Sequence, residues 1–212
     1  TEGELKDVAE ICCEEGVLVF SDEIHADLTL PPHKHRPFAM VSEKARMNSV
    51  TFMSPSKAFN MPGLTASHAL IFNPKLRRKF HTYLESSELD LGHVFAFLAV
   101  EAAYSHGTEW LDQCLAYIQG NIDYVDEFTK QHTPKIKVIR PQASFLVWLD
   151  CREMGLSQDA LNDFFVDKAH LALNNGVAFG EEGEGFMRLN VASPRSVLEQ
   201  AMKQLADAYV KL

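Results

Sequence analysis

The spacing of apolar residues changes period several times along the chain, and each change predicts an element. Leu5, Val8, Ala9 and Cys12 recur at helical spacing with Gly16 following as a stop, which predicts an amphipathic helix over residues 3–15. The next apolar run, VLVF at 17–20, is continuous and ends in SDE, the pattern of a strand buried on both faces. Beyond a Pro- and His-rich loop at 31–37, SVTFM at 49–53 and HALIF at 68–72 read as two further strands. Helix, buried strand, loop and buried strand together are the rhythm of an α/β domain.

Residues 74–132 carry no strand pattern, and three helices fit there: 74–86, 91–105 and a long one over about 109–131. After Pro134 the texture changes to KIKVIR, SFLVWLD, a helix over 158–169, LALNNGVAF, FMRLNVA and a last helix. Ser157 is the expected N-cap of the first of these helices, with Leu156 and Leu161 placed as a hydrophobic staple. Ser193 and Pro194 are the expected N-cap and first residue of the second. The division that follows is a larger α/β portion over 1–115 and a smaller α+β domain over 116–212, with the long helix bridging them.

Composition narrows the partners. With 46% hydrophobic and 23% charged residues, the 212-residue chain falls in the ordinary globular range. Its net charge of −9 is spread along the sequence, which argues against nucleic acid or an anionic membrane surface and for a small-molecule partner. Cys12 and Cys13 are adjacent, and Cys114 and Cys151 have no metal-ligand spacing, so all four read as reduced thiols of a cytoplasmic protein and no metal site is expected. No apolar run approaches the roughly 20 residues a bilayer span requires. The chain opens without Met and directly on a helix, which suggests part of a longer protein.

Two residues stand out for chemistry. Asp22 ends one predicted strand, and Lys57 sits in the loop after the next, among uncharged residues in TFMSPSKAFNMPGL. Ligands of open α/β sheets bind beyond the carboxyl ends of the strands, so both side chains are placed to reach one pocket. A desolvated lysine sheds its charge and can attack a carbonyl, and a carboxylate can keep a ring nitrogen protonated, the pairing that pyridoxal phosphate chemistry needs. Ser54 and Ser56 add hydroxyls and backbone N–H groups suited to a phosphate. Spacing alone leaves a plainer alternative open, in which Asp22 caps an element and Lys57 reaches into solvent.

SDEIHADL, SPSKAFNMPGL, QASFLVWLD and GEEGEGFMRLNVASPRS, in that order, resemble the C-terminal part of the class I/II aminotransferase superfamily of fold-type I pyridoxal phosphate enzymes. Within it they are most similar to the C–S lyase branch that includes cystathionine β-lyases. The resemblance implies an α/β fold: the C-terminal portion of a large domain with a mainly parallel sheet, followed by a smaller α+β domain. It implies that Lys57 carries the cofactor as a Schiff base and moves the Cα proton, and that Asp22 pairs with the pyridine nitrogen. It further implies that His25 lies beside the phenolic oxygen, Ser54 and the weaker candidate Ser56 contact the phosphate, and Arg188 grips the substrate α-carboxylate. Thr65 stands where many aminotransferases have a phosphate-binding Arg, a departure shared with the lyase branch. The family's N-terminal half, with further cofactor contacts, has no counterpart upstream of Asp22, and the full-length protein is expected to be a homodimer.

The implied reaction is α,β-elimination on a cystathionine- or cysteine-type amino acid. Transamination is the alternative, and a catalytically inert fragment or binding module is the alternative from another class. Weaker signals have plain readings. His33 and His35 read as solvated loop histidines or a metal pair, and Phe95, Phe97 and Trp110 as core or interface packing. GEEGEG at 180–185 reads as a lid or an acidic turn, Arg195 as a second anion contact or a surface residue, and Trp148 as core.

Overall fold

The computed structural model describes residues 1–212. The chain divides into two compact units, Thr1–Asp112 and Gln113–Leu212. No helix is long and apolar enough to cross a membrane.

The first unit opens with α1 (Glu2–Glu14), started by a capping box between Thr1 and Glu4. Gly16 ends it at φ +65°, a conformation glycine adopts without steric cost, and Val17 then donates to the Cys12 carbonyl at 2.8 Å. Ala9 of α1 is buried against Phe38 and Ala45, with Leu5, Val19 and Val41 around them. Strand β1 (Val19–Asp22) pairs in parallel with β2 (Ser49–Met53), Val19 opposite Ser49 and Asp22 opposite Phe52. The connection holds two one-turn 3₁₀ helices and α2 (Glu43–Met47), capped by Ser42.

Strand β3 (His68–Leu70) pairs antiparallel to β2, so this three-stranded sheet, in the order β1-β2-β3, is mixed where a mainly parallel one was expected. The connection explains the difference. Residues 54–67 hold only turns and the short 3₁₀ helix Pro62–Leu64, whereas a parallel return needs a crossover, usually helical. Burial of the first strand also departs from expectation: it alternates, and Phe20 is 65% exposed. As an edge strand, β1 is paired on one side only, and its outer aromatic rests edge-on against Phe52, which in turn meets Phe80. Phe80 lies on α3 (Pro74–Ser86), where Asn73 accepts from the Lys75 and Leu76 N–H groups and Pro74 takes the first position. Helices α4 (Val94–His106) and α5 (Thr108–His132) follow, and most of α5 belongs to the second unit.

The second unit is an antiparallel sheet in the order β4-β5-β7-β6, formed by β4 (Lys137–Ile139), β5 (Leu146–Asp150), β6 (Asn174–Asn175) and β7 (Phe186–Asn190). Val147, Leu149, Met187 and Leu189 fill its buried face, and Leu198, Met202 and Leu205 of α7 (Arg195–Tyr209) are buried too. The helix expected over 158–169 is present as α6 (Gln158–Asp163), capped by Ser157, and widens into a π turn over Phe164–Lys168. The cap of α7 is different from the one expected. Pro194, not Ser193, precedes the helix, and the Arg195 N–H is taken by the Tyr117 hydroxyl at 2.6 Å, a partner supplied by α5. Beside it, fully buried Asn121 donates to the carbonyls of Val191 (2.8 Å) and Ser193 (3.1 Å) and accepts from Arg195 Nε (2.8 Å).

Because Asn121→Ala strands these buried groups, it is expected to lower stability by about 2–3 kcal/mol, against about 0.5–1 kcal/mol for Tyr117→Phe, whose partner N–H is exposed. Urea denaturation of the three proteins checks the order. Burial, with the Asp150 charge added, pushes the Cys151 thiol up to about 12, so it stays protonated and shielded at neutral pH. In a thiol-labelling time course at pH 8, exposed Cys13 is expected to react first and Cys151 only after unfolding.

Candidate functional site

Parallel pairing brings the ends of β1 and β2 to one edge of the first sheet, because Asp22 and Phe52 are register partners and both strands run the same way. Everything that follows either strand emerges there. After β1 comes a tight turn: Asp22 Oδ1 accepts the Ile24 N–H at 3.2 Å, and the Glu23 carbonyl accepts the Ala26 N–H at 2.9 Å. Asp22 is exposed, and His25, half-buried, precedes the single 3₁₀ turn Ala26–Leu28.

After β2 the chain makes a turn of mostly buried residues with one exception. Ser54, Pro55, Ser56 and Ala58 are buried, while Lys57 between them is exposed. Backbone bonds from Phe59 N to the Pro55 carbonyl (2.9 Å) and from Met61 N to the Ser56 carbonyl (3.0 Å) close the turn around the lysine. Ser54 Oγ donates to the Ala66 carbonyl at 2.5 Å and accepts the Ser56 N–H at 3.1 Å. Its hydroxyl therefore already serves the loop, and a phosphate would have to take the place of the Ala66 carbonyl to receive its proton. Phe59 braces the turn by stacking on Trp110 (5.9 Å, 27°) and meeting Tyr104 edge-on. Gly107 makes room for that ring, since a Cβ there would lie 2.4 Å from it. Burial raises the Tyr104 phenol above its ordinary value, and the Asp27 charge adds to the shift.

Five of the six residues singled out in the sequence, Asp22, His25, Ser54, Ser56 and Lys57, thus lie in the first unit, in the segments leaving the carboxyl ends of β1 and β2. The desolvation invoked for Lys57 is not supplied by the residues of this chain, which leave its side chain exposed. Arg188 lies in the second unit, on β7 opposite Trp148 and Asn174. Its Nη2 donates to Asn174 Oδ1 at 3.0 Å, its guanidinium sits 4.4 Å over the Phe179 ring, and its Nε is buried without a partner. A planar guanidinium held in this way is chemically able to take a carboxylate. Trp148 is half-buried between Phe186, stacked at 5.6 Å, and Phe179, so it packs on the arginine's face of the sheet and not in the core.

Sequence reasoning missed three residues. Glu23, directly after Asp22, is buried with three donors on its carboxylate, one of them His35, so that histidine is not a free loop residue. Nothing in the spacing of SDE and HKH announces that pairing. Asn174 and Phe179, which hold Arg188, sit in LALNNGVAF, where the only available signal was strand-like alternation.

Chemically, the first unit presents an accessible primary amine, an accessible carboxylate, an imidazole and two serines with backbone N–H groups. That set fits pyridoxal phosphate: an amine for the aldehyde, an acid group for the ring nitrogen, and donors for the phosphate.

Comparison with known proteins points the same way. A family model described as aminotransferase class I and II matches residues 1–205. Cystathionine beta-lyase PatB of Bacillus subtilis (strain 168) is 41% identical over 205 residues, covering 97% of this chain and 53% of the relative. Protein MalY of Escherichia coli (strain K12) is 35% identical over 206 residues, covering 97% of this chain and 52% of the relative. Among solved structures, the chain is similar to a PLP-bound putative aminotransferase from Clostridium difficile 630, at TM-score 0.95 and 36% identity, over 99% of this chain and 54% of that one. Cystalysin from Treponema denticola, which contains a pyridoxal 5'-phosphate cofactor, matches at TM-score 0.93 and 31% identity, over 100% and 54%. The chain spans about half the length of the curated relatives it matches.

Proposed function

The chain belongs to the class I and II aminotransferase family, and on that premise we propose that its protein is a pyridoxal phosphate enzyme cleaving carbon–sulfur bonds of cystathionine- or cysteine-type amino acids. The observation that carries this reading is the parallel β1–β2 pair, which sends Asp22 and Lys57 to one sheet edge in a chain 41% identical to a cystathionine β-lyase.

Pyridoxal phosphate, when bound, supplies an electron sink for the pair left at Cα. The protein's own groups do the rest. The Lys57 amine would hold the cofactor and would serve as the base for the Cα proton. Asp22 would keep a proton on the ring nitrogen through its carboxylate, and His25 would face the phenolic oxygen. Ser56, and Ser54 once its proton leaves the Ala66 carbonyl, would hold the phosphate. Arg188 binds the substrate α-carboxylate through its planar fork. Loss of the sulfur substituent from Cβ then completes an elimination, releasing a thiol and, after hydrolysis, pyruvate and ammonia.

Transamination uses the same residues up to proton removal, so the two reactions differ in what they need. Steady pyruvate and ammonia release from cystathionine without a keto acid is the expected result for the whole protein. A strict requirement for a keto-acid acceptor would make it an aminotransferase.

A second copy is the macromolecular partner we propose. Helix α4 is apolar around its circumference, yet Val94, Phe95, Phe97 and Leu98 are each more than half exposed. Such a helix is ordinarily buried.

The exposure of Asp22 and Lys57 favours weak cofactor retention by these 212 residues alone, which is the non-enzymatic reading of the chain. Added pyridoxal phosphate is expected to give a visible absorbance band that is lost on dialysis and absent in Lys57→Ala, with turnover near background. A band unaffected by that substitution would remove Lys57 from its proposed role.

A further inference from the structure

Glu23 is a buried carboxylate with a donor on each of its oxygens. Its side chain is 4% exposed, and Oε1 accepts from the Ser21 hydroxyl at 3.0 Å and the Phe38 N–H at 2.9 Å. Its Oε2 accepts from His35 Nε2 at 2.6 Å. Its backbone is equally engaged: the N–H extends the parallel ladder to the Phe52 carbonyl at 2.8 Å, and the carbonyl closes the turn to Ala26. One residue therefore fastens the loop containing His35 and Phe38 to the end of β1, and β1 to β2. That degree of satisfaction is what a buried carboxylate requires.

Asp22, directly before Glu23, is in the opposite condition. Asp22 is exposed and takes one N–H, from Ile24, and the turn continues into His25. We propose that Glu23 is a positioning residue: by anchoring the 29–38 loop to the end of β1, it fixes the direction of the Asp22 carboxylate and of the turn bearing His25. The acidic pair thus divides its work, Glu23 spent on the scaffold and Asp22 aimed at the ligand. This inference rests on the cofactor reading for the role of Asp22. Its structural half does not.

The test has a cofactor-free arm and a cofactor arm. Glu23→Gln keeps the shape but replaces one acceptor oxygen by a donor facing N–H or O–H groups; His35→Ala removes one donor and spares the fold should Glu23→Gln fail to fold. By amide hydrogen exchange on the chain without cofactor, both variants are expected to speed exchange at Ile24, Ala26 and Phe38 on the order of tenfold, with β2 unchanged. Unchanged exchange at Ile24 overturns the proposal.

In the cofactor arm, the visible band is titrated with pyridoxal phosphate in the parent chain, Glu23→Gln, Asp22→Asn and the double variant. If Glu23 acts through Asp22, Glu23→Gln weakens binding about tenfold alone and less than twofold in the Asp22→Asn background. Additive losses mean that Glu23 supports the fold generally and overturn the positioning role. A parent chain that gives no band at any concentration counts against the cofactor reading itself, and the exchange result then decides the Glu23 proposal alone.

Discussion

The candidate site depends on the parallel register of β1 and β2. A parallel ladder forces both chains to leave the sheet at one edge, and the Asp22–Phe52 pairing sets how far each runs before it turns. A shift by one residue would turn the Asp22 side chain to the opposite face, the side of half-buried Val19 and Ser21. Apolar packing pins the register: Ala9, Phe38 and Ala45 are buried against Val19, and Val50 of β2 is fully buried. Beyond the strands, the two exits are held by different means. The Asp22 exit is fastened by the Glu23 carboxylate, and the Lys57 turn by backbone bonds and the ring of Phe59 on Trp110.

Local chemistry was legible in the sequence wherever one residue type dominates a position. SVTFM and the helix at 74–86 match the observed Ser49–Met53 and Pro74–Ser86, because β-branched and aromatic residues in a row and an Asn-Pro start leave little choice. Ser157 caps its helix as its position suggests. Where a partner distant in sequence competes, the local signal loses. Tyr117, 78 residues away, takes the N–H that Ser193 was expected to serve, and β1 alternates in exposure because Val19 packs on the Ala9–Phe38–Ala45 cluster while the face bearing Phe20 is left open. The Glu23–His35 contact was illegible for the same reason: it depends on a loop folding back across 12 residues, which neither period nor motif encodes.

Arg188 shows how a functional reading and a structural cost can meet in one side chain. On β7 it lies over Phe179 and gives one N–H to Asn174, while Nε is buried with no acceptor. An unpaired buried donor costs about 1–3 kcal/mol, and a fold under selection for stability alone would not keep one without reason. Trp148, stacked on Phe186 and edge-on to Phe179, stiffens the surface on which the guanidinium lies. The family motif identified the arginine, but the residues that aim it belong to β6 and to the turn after it, where the sequence carries no distinctive pattern.

A simple criterion separates scaffold from chemistry across the first unit: how much of a polar group's bonding capacity the fold has already used. Glu23 and Ser54 are buried, and their oxygens are bound to Ser21, His35, Phe38, Ala66 and the Ser56 N–H. Their neighbours Asp22 and Lys57 are exposed. The alternation follows from the desolvation cost, since a charge can be kept reactive only if the fold does not satisfy it, and can be buried only if the fold does. By the same criterion Ser54 is the least ready of the proposed phosphate contacts, because its proton is committed to Ala66. The lysine's isolation from other charges, visible first as a gap in the sequence between Val50 and Phe72, is therefore only half of its setting; the other half is a ring of buried, hydrogen-bonded neighbours that holds the turn while leaving the amine outside.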